Sequence, residues 1–322
     1  MTKYKPIAPQ QFPKFAGIKT YMRLPHCRTT QGIDFAVVGV PWDGATSYRT
    51  GQRLGPDAIR KVSVTLRPYN QALDVEIFEQ CSGVDYGDLP VVPGYIGDTY
   101  ARIEEELSPL VAAGVIPVLM GGDHSITLPE LRAIAKTHGP VALVHFDSHT
   151  DTNDQYFGRP YYHGSPFRRA VEENLLLPDY SIQVGMRGSV YSKDAYNDSK
   201  SLGFKVITMA DIREMGLPKL SEKIRERVEQ TRVFVTFDID VVDPAFAPGT
   251  GTPEIGGLTS GEAIDLIQGL NGLNFVGFDV VEVLPDYDVA ELTALLAANI
   301  IYEFLSMIAL NKKNSNGNEK PG

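Results

Sequence analysis

Short apolar, β-branched runs recur along the chain at 34–40 (DFAVVGV), 115–120 (VIPVLM), 141–147 (VALVHFD), 180–186 (YSIQVGM), 204–209 (FKVITM), 232–238 (RVFVTFD) and 274–280 (NFVGFDV). Each is close to continuous in apolar residues rather than alternating. That is how a strand reads when both faces of a parallel sheet are covered. Helical patterns lie between them, at 100–114, 128–139, 220–230, 259–270 and 290–309. The first two stop at Gly114 and Gly139, where a left-handed C-cap is expected. Alternating strands and helices predict an α/β fold, a three-layer αβα sandwich around a central, mainly parallel β-sheet. The segment 41–98, rich in Pro, Gly and Tyr, suggests no clear element.

Composition narrows this picture slightly. A length of 322 residues suggests two domains at roughly 150 residues each. No composition break divides the chain, however, so we read an arm (1–33), one α/β domain (34–310) and a polar, disordered tail (311–322). A formal charge of −10 argues against nucleic acid as a partner and suits a small cationic one. The two cysteines, Cys27 and Cys81, are too few for a disulfide scaffold and fit a reducing cytoplasm. The start of the chain lacks an apolar signal core, and no run reaches the roughly 18 apolar residues of a membrane span, so no membrane association is expected.

The polar residues fall in one kind of place. GGDHS (121–125), DSHTD (147–151), DIDVVDP (238–244) and VEVLPDYD (281–288) each follow an apolar run. These are the C-terminal ends of strands, where open parallel sheets carry their sites. In an extended chain Asp147, His149 and Asp151 would point to one side. Two carboxylates and an imidazole crowded together resist desolvation unless a cation joins them. Singly, His124 reads as a turn histidine, and Asp238 and Asp240 as loop caps. Asp123 reads as an orienting residue and Asp243 as a turn residue. Together His124, Asp147, His149, Asp151, Asp238 and Asp240 offer two imidazoles and four carboxylates. Four carboxylates neutralise two divalent cations. An oxygen-rich set with some imidazole suits Mn²⁺ and also admits Ni²⁺, Co²⁺ or Zn²⁺, whereas the lack of thiolate argues against a structural zinc site.

GGDHS, D-x-H-x-D, D-x-D-x-x-D-P and the later E-V-x-P, in this order from about 34 to 309, resemble the arginase/agmatinase (ureohydrolase) family. The resemblance implies a binuclear manganese hydrolase of the arginase/deacetylase-like fold that releases urea from a guanidino compound, with Ni²⁺ as the alternative metal. It makes Asp147 and Asp238 the bridging carboxylates, with His124 and Asp151 completing one metal and His149 and Asp240 the other. Asp151 also accepts a hydrogen bond from the nucleophile. His163, in YYHGSPF (161–167), matches the family's proton-shuttling histidine, and Glu282 the glutamate that receives the guanidinium. A carboxylate meets the planar fork of a guanidinium bidentately. His138 and His145 read as structural.

Among family branches, MRLPH (22–26), VPWDGATSYRTGQRLGP (40–56) and the insertion 187–204 are more similar to agmatinases and guanidino-acid hydrolases than to arginases. Agmatine or a guanidino acid such as 4-guanidinobutyrate is the expected substrate. Asn153 matches a position that holds an amino-acid tail in arginases, so arginine is less favoured rather than excluded. Phe157, Arg159, Tyr161, Tyr162 and Met186 are expected near the entrance. Guanidine or a biguanide remains an alternative. An amine deacetylase of the related fold would need a His-His pair that is lacking here. A partner subunit of a hetero-oligomeric hydrolase would be expected to lose ligands, yet all six positions are filled. The GTGTPEIGG stretch (249–257) has Pro253 and no leading strand, so no dinucleotide role is assigned. The family implies a homo-oligomer, trimer or hexamer, with a paralogous subunit as a further option.

Overall fold

The computed structural model describes residues 4–8 and 10–318. Eight strands form its main sheet: β1 (Phe35–Gly39), β2 (Gly83–Asp88), β3 (Ile116–Met120), β4 (Ala142–Phe146), β5 (Ile182–Met186), β6 (Lys205–Thr208), β7 (Arg232–Asp238) and β8 (Asn274–Val281). Their order is β2-β1-β3-β8-β7-β4-β5-β6, and every pairing is parallel. Strands β1, β4 and β5 are buried at every position. This is why their sequences lack alternation: helices cover both faces. The larger helices are α1 (Gly55–Ser63), α2 (Ile96–Ala112), α3 (Thr127–His138), α4 (Pro166–Glu172), α5 (Asn197–Ser201), α6 (Met209–Met215), α7 (Leu217–Val228), α8 (Ser260–Gln268) and α9 (Leu292–Asn318).

All seven expected strands are present, together with an eighth, β2. Its GVDYGD sequence mixes two acids and two glycines into the strand and offers no apolar run. Gly114 and Gly139 both take positive φ, as their C-cap role requires. Two apolar clusters, one on each face of the sheet, form the core. In one of them Phe278 of β8 stacks on Phe304 of α9 at 4.4 Å and lies 4.8 Å from Phe275.

Helix α9 corrects two expectations. It continues to Asn318, so 311–318 are helical rather than disordered, while 319–322 lie outside the described residues. Its Leu292–Ser315 portion is also long and apolar enough to cross a membrane. Yet 78% of the apolar window is buried inside the fold, as in the core helix of a globular domain.

The sheet order decides where the chemistry sits. β3, β8, β7 and β4 are contiguous in the middle of the sheet. Their C-terminal ends lead into His124, Glu282, Asp238 and Asp147, so four sequence-distant motifs arrive side by side.

Candidate metal centre and active site

Backbone contacts assemble the site first. After β3 the chain makes two glycines, and a Cβ on Gly122 would lie 1.6 Å from the Trp42 carbonyl oxygen. This close approach lets Asp123 N–H bond Trp42 O at 2.7 Å and Gly122 O accept from Glu282 N–H at 2.8 Å. Asp123 then caps the short turn at His124–Ile126, accepting from Ser125 N–H at 3.0 Å and from Ala45 N–H at 2.8 Å. Burial pushes its carboxyl up to about 7. Asp243 plays the turn role expected of it, pinning Gly256 and Gly257 N–H at 2.6 and 3.2 Å. That anchors the 249–257 loop, whose Thr252 hydroxyl reaches Asp240 at 3.5 Å.

His124 is fully buried, with Nε2 held by Thr236 Oγ1 at 2.9 Å. Its Nδ1 lies 3.1 Å from Asp147, 3.0 Å from Asp151 and 3.2 Å from Asp238, yet makes no hydrogen bond. An orphaned imidazole nitrogen ringed by carboxylate oxygens is the donor arrangement of a cation site. Asp147 spans two half-sites. Its Oδ2 faces His124, and its Oδ1 lies 3.4 Å from His149 Nδ1. His149 Nδ1 is also 3.1 Å from Asp240 Oδ2. Asp238 touches the first half through His124 and accepts Asp240 N–H at 2.8 Å.

All six residues expected as ligands therefore come together. Their oxygen and imidazole donors suit two divalent cations, and the second half-site is Asp147, His149 and Asp240. Burial, then the neighbouring carboxylates, raise the pKa of Asp238 and of Asp240.

The convergence of Asp147, His149 and Asp151 does not come from a pleated strand. β4 ends at Phe146, and Asp151 sits at φ 49°, so a bend brings the three together. The alternation also began one step earlier than expected. His145, read as structural, places Nε2 2.7 Å from Asp147 Oδ2 within the first half-site.

Glu282 is buried at 1% exposure with φ 65°, a backbone strain typical of functional sites. Its Oε1 accepts from His124 N–H at 2.9 Å and faces His163 Nδ1 at 3.0 Å, while Oε2 accepts from Gln52 at 2.9 Å. Burial opposes its charge, but the His163 bond and the His124 N–H hold its pKa below the usual value. Ser47 N and Oγ lie 3.1 and 2.7 Å from His163 Nε2, and Nδ1 presents its proton to Glu282. Burial alone would lower the His163 pKa, but Glu282 outweighs it and pushes it up to about 9. Asn153 is exposed beside Tyr162. Phe157 and Arg159 are exposed nearby, whereas Met186 is fully buried in β5.

Ser47, Gln52, Gln183 and Thr236 were not singled out in the sequence, since polar residues in turns and strands carry no motif of their own. His145 did carry a signal, the same i, i+2 spacing as Asp147 and His149.

The arginase family profile matches residues 33–307, and the chain belongs to this family. It is 44% identical over 308 residues to the guanidinobutyrase of Pseudomonas aeruginosa, covering 95% of this chain and 97% of that protein. It is 45% identical to the guanidinopropionase of the same organism, covering 95% and 96%. Among solved structures, proclavaminate amidino hydrolase from Streptomyces clavuligerus superposes with a TM-score of 0.89 at 42% identity, covering 93% of this chain and all of that one.

Proposed function

We propose that the protein is a binuclear-metal ureohydrolase that cleaves a C–N bond of a small guanidino compound, agmatine or a guanidino acid such as 4-guanidinobutyrate, to release urea and an amine. The observation that carries this is Glu282, a buried carboxylate with only N–H partners beside the His/Asp cluster. Glu282 receives the guanidinium, whose charge is permanent at physiological pH and whose fork a carboxylate meets bidentately. Asp147 and Asp238 would bridge two divalent cations, Mn²⁺ by preference and Ni²⁺ as the alternative. His124 and Asp151 would complete one site, His149 and Asp240 the other. When bound, the cations supply an activated water and offset charge developing at the guanidinium carbon.

Asp151 orients the attacking water by accepting its hydrogen bond. The proton on His163 Nδ1, held at 3.0 Å from Glu282, goes to the departing nitrogen, because an amine leaves poorly unless protonated. Asn153, Phe157 and Arg159 form the rim over which the substrate tail extends. We also propose a cytoplasmic location, from the sparse cysteines, and a homo-oligomer, trimer or hexamer, on the strength of the family alone; a stable monomer by light scattering would reject the assembly.

The test is a urea-release screen with agmatine, 4-guanidinobutyrate, 3-guanidinopropionate, arginine, guanidine and biguanides, each with Mn²⁺ and with Ni²⁺. Urea or a substituted urea from at least one is expected. Ammonia or acetate as the only product, or no urea from a metal-replete sample, would overturn the assignment.

A further inference from the structure

We propose that Gln183, acting in part through His145, is a positioning residue for the half of the centre formed by His124, Asp147 and Asp151; this rests on the metal-centre reading above. Gln183 lies on β5 in register with His145 on β4, and both are fully buried. Its Nε2 donates to Thr150 O at 2.6 Å and to His145 Nδ1 at 3.0 Å, and its Oε1 accepts from the Ser199 hydroxyl of α5. Every polar atom of the amide is therefore used. A flipped amide would set Oε1 against the Thr150 carbonyl, so the orientation is fixed.

That orientation fixes the histidine in turn. With Nδ1 accepting, the ring proton resides on Nε2, 2.7 Å from Asp147 Oδ2. Both ring nitrogens are then occupied, so His145 has no lone pair for a cation even though it stands among the ligands. It acts instead on the carboxylate that spans the two half-sites. His124 is the opposite case, with Thr236 on one nitrogen and no hydrogen bond on the other.

The second arm of Gln183 acts on Asp151. Thr150 is the residue before it, and the left-handed conformation of Asp151 costs about 1–3 kcal/mol and persists only where neighbours enforce it. The Gln183–Thr150 bond and the bond from Phe167 N–H to Asp151 O, at 3.2 Å, are such restraints. One amide thus orients two carboxylates that lie 3.1 and 3.0 Å from His124 Nδ1. The other half-site is braced separately, by the Ser148 hydroxyl on Asp240 at 2.8 Å. Asp151 belongs to the His124 half alone and His145 holds the Asp147 oxygen that faces His124, so loss of Gln183 should weaken that metal more than the other, which shares only Asp147.

The full-length protein, stripped by chelation, is titrated with Mn²⁺ by calorimetry. Partners that orient ligands are worth about 10–100-fold in metal affinity. Gln183→Leu is expected to weaken one of two sites by about that factor and the other, which shares Asp147, by less, and His145→Phe to do the same. His145→Gln, which keeps a donor near the Nε2 position, should recover most of the loss. Ser199→Ala, a milder change, should weaken the same site by a smaller factor, and it serves if Gln183→Leu fails to fold. Folded variants with both affinities unchanged, or with both weakened equally, would overturn the proposal. A wild-type protein that binds no Mn²⁺ would bring down the metal-centre reading itself, whereas two wild-type sites with unaffected variants would bring down this inference alone.

Discussion

Two charge networks built around buried acids, one at the sheet edge and one at its centre, differ in what neutralises them. At the edge, Arg60 of α1 meets Asp85 of β2 through Nε at 2.9 Å and Nη2 at 3.0 Å, and reaches Asp88 through Nη1 at 2.5 Å. Asp85 also accepts Tyr21 N–H at 2.7 Å and Gly87 N–H at 2.9 Å. That network carries its own cation. At the centre, Asp147, Asp151, Asp238, Asp240 and Glu282 gather around histidines, and among the described residues no Lys or Arg is ion-paired to any of them. Buried charges need a partner. Where a permanently charged guanidinium supplies it, the cluster reads as architecture; where the chain offers only titratable imidazoles, the cluster suits a metal or a cationic substrate.

The largest effect should come from removing a carboxylate of the central network. Asp147→Ala or Asp238→Ala should take metal content, measured by elemental analysis, from two per chain towards zero and abolish urea release. Asp85→Ala should leave metal per folded chain unchanged. An Asp147→Ala protein that retained two metals would break the contrast at once.

Within the centre, the metal-facing and substrate-facing acids should separate next. Glu282→Gln removes the countercharge offered to the substrate without touching a residue that faces His124 Nδ1. Turnover should fall by about 10²–10³-fold, the scale of losing one partner of a buried charge pair, with two metals retained. His163→Ala should likewise lower kcat by about 10²–10⁴-fold at unchanged metal content. Loss of metal in either variant would show that the two groups are not separable.

How much of this could be read in advance depended on whether a residue signals through its own neighbourhood. The strand runs announced themselves because burial on both faces leaves an unbroken apolar stretch, and the ligands because they follow those runs. β2 stayed hidden because Asp85 and Asp88, its contributions to the Arg60 network, break the apolar pattern. Arg60 itself sits in a helix whose partner strand is more than twenty residues away. Gln52 and Gln183 were invisible for the same reason: a neutral amide becomes part of a site only through the fold that places it. His145 was read as structural, and its buried ring with a hydrogen bond on each nitrogen fits that reading; what its place in an apolar strand did not show is that one of those bonds falls on Asp147.

The edge network offers the third test. Arg60→Met leaves Asp85 buried without its cation, which costs about 3–5 kcal/mol, read as a lower urea-denaturation midpoint. Metal content should not change. Arg60→Met combined with Asp85→Leu should recover part of the loss, because an apolar pair avoids the uncompensated charge. A single variant as stable as wild type would mean that water reaches Asp85 and that the edge network is not buried in the sense drawn here.

The smallest effect lies nearer the surface, where an acid is held chiefly by hydrogen bonds. At the start of α6, Thr208 and Asp211 form a reciprocal cap: Thr208 Oγ1 accepts Asp211 N–H at 3.2 Å, and Asp211 Oδ2 accepts Thr208 N–H at 2.8 Å. The Thr208 hydroxyl, then its N–H, lower the Asp211 pKa. A depressed folded pKa means that the unfolded chain takes up the proton first. The contribution is therefore fully present above the unfolded value of about 3.9 and is lost as pH falls through the folded one. Thr208→Ala should cost about 0.5–2 kcal/mol, towards the lower end because solvent screens the charge. The gap from wild type, followed by urea denaturation, should narrow as the pH is taken from 6 towards 3. A gap independent of pH would mean that the hydroxyl caps the helix without the carboxylate. Asp211 would then be a solvated charge, unlike Asp85 and the buried acids of the central network, which must each find a partner.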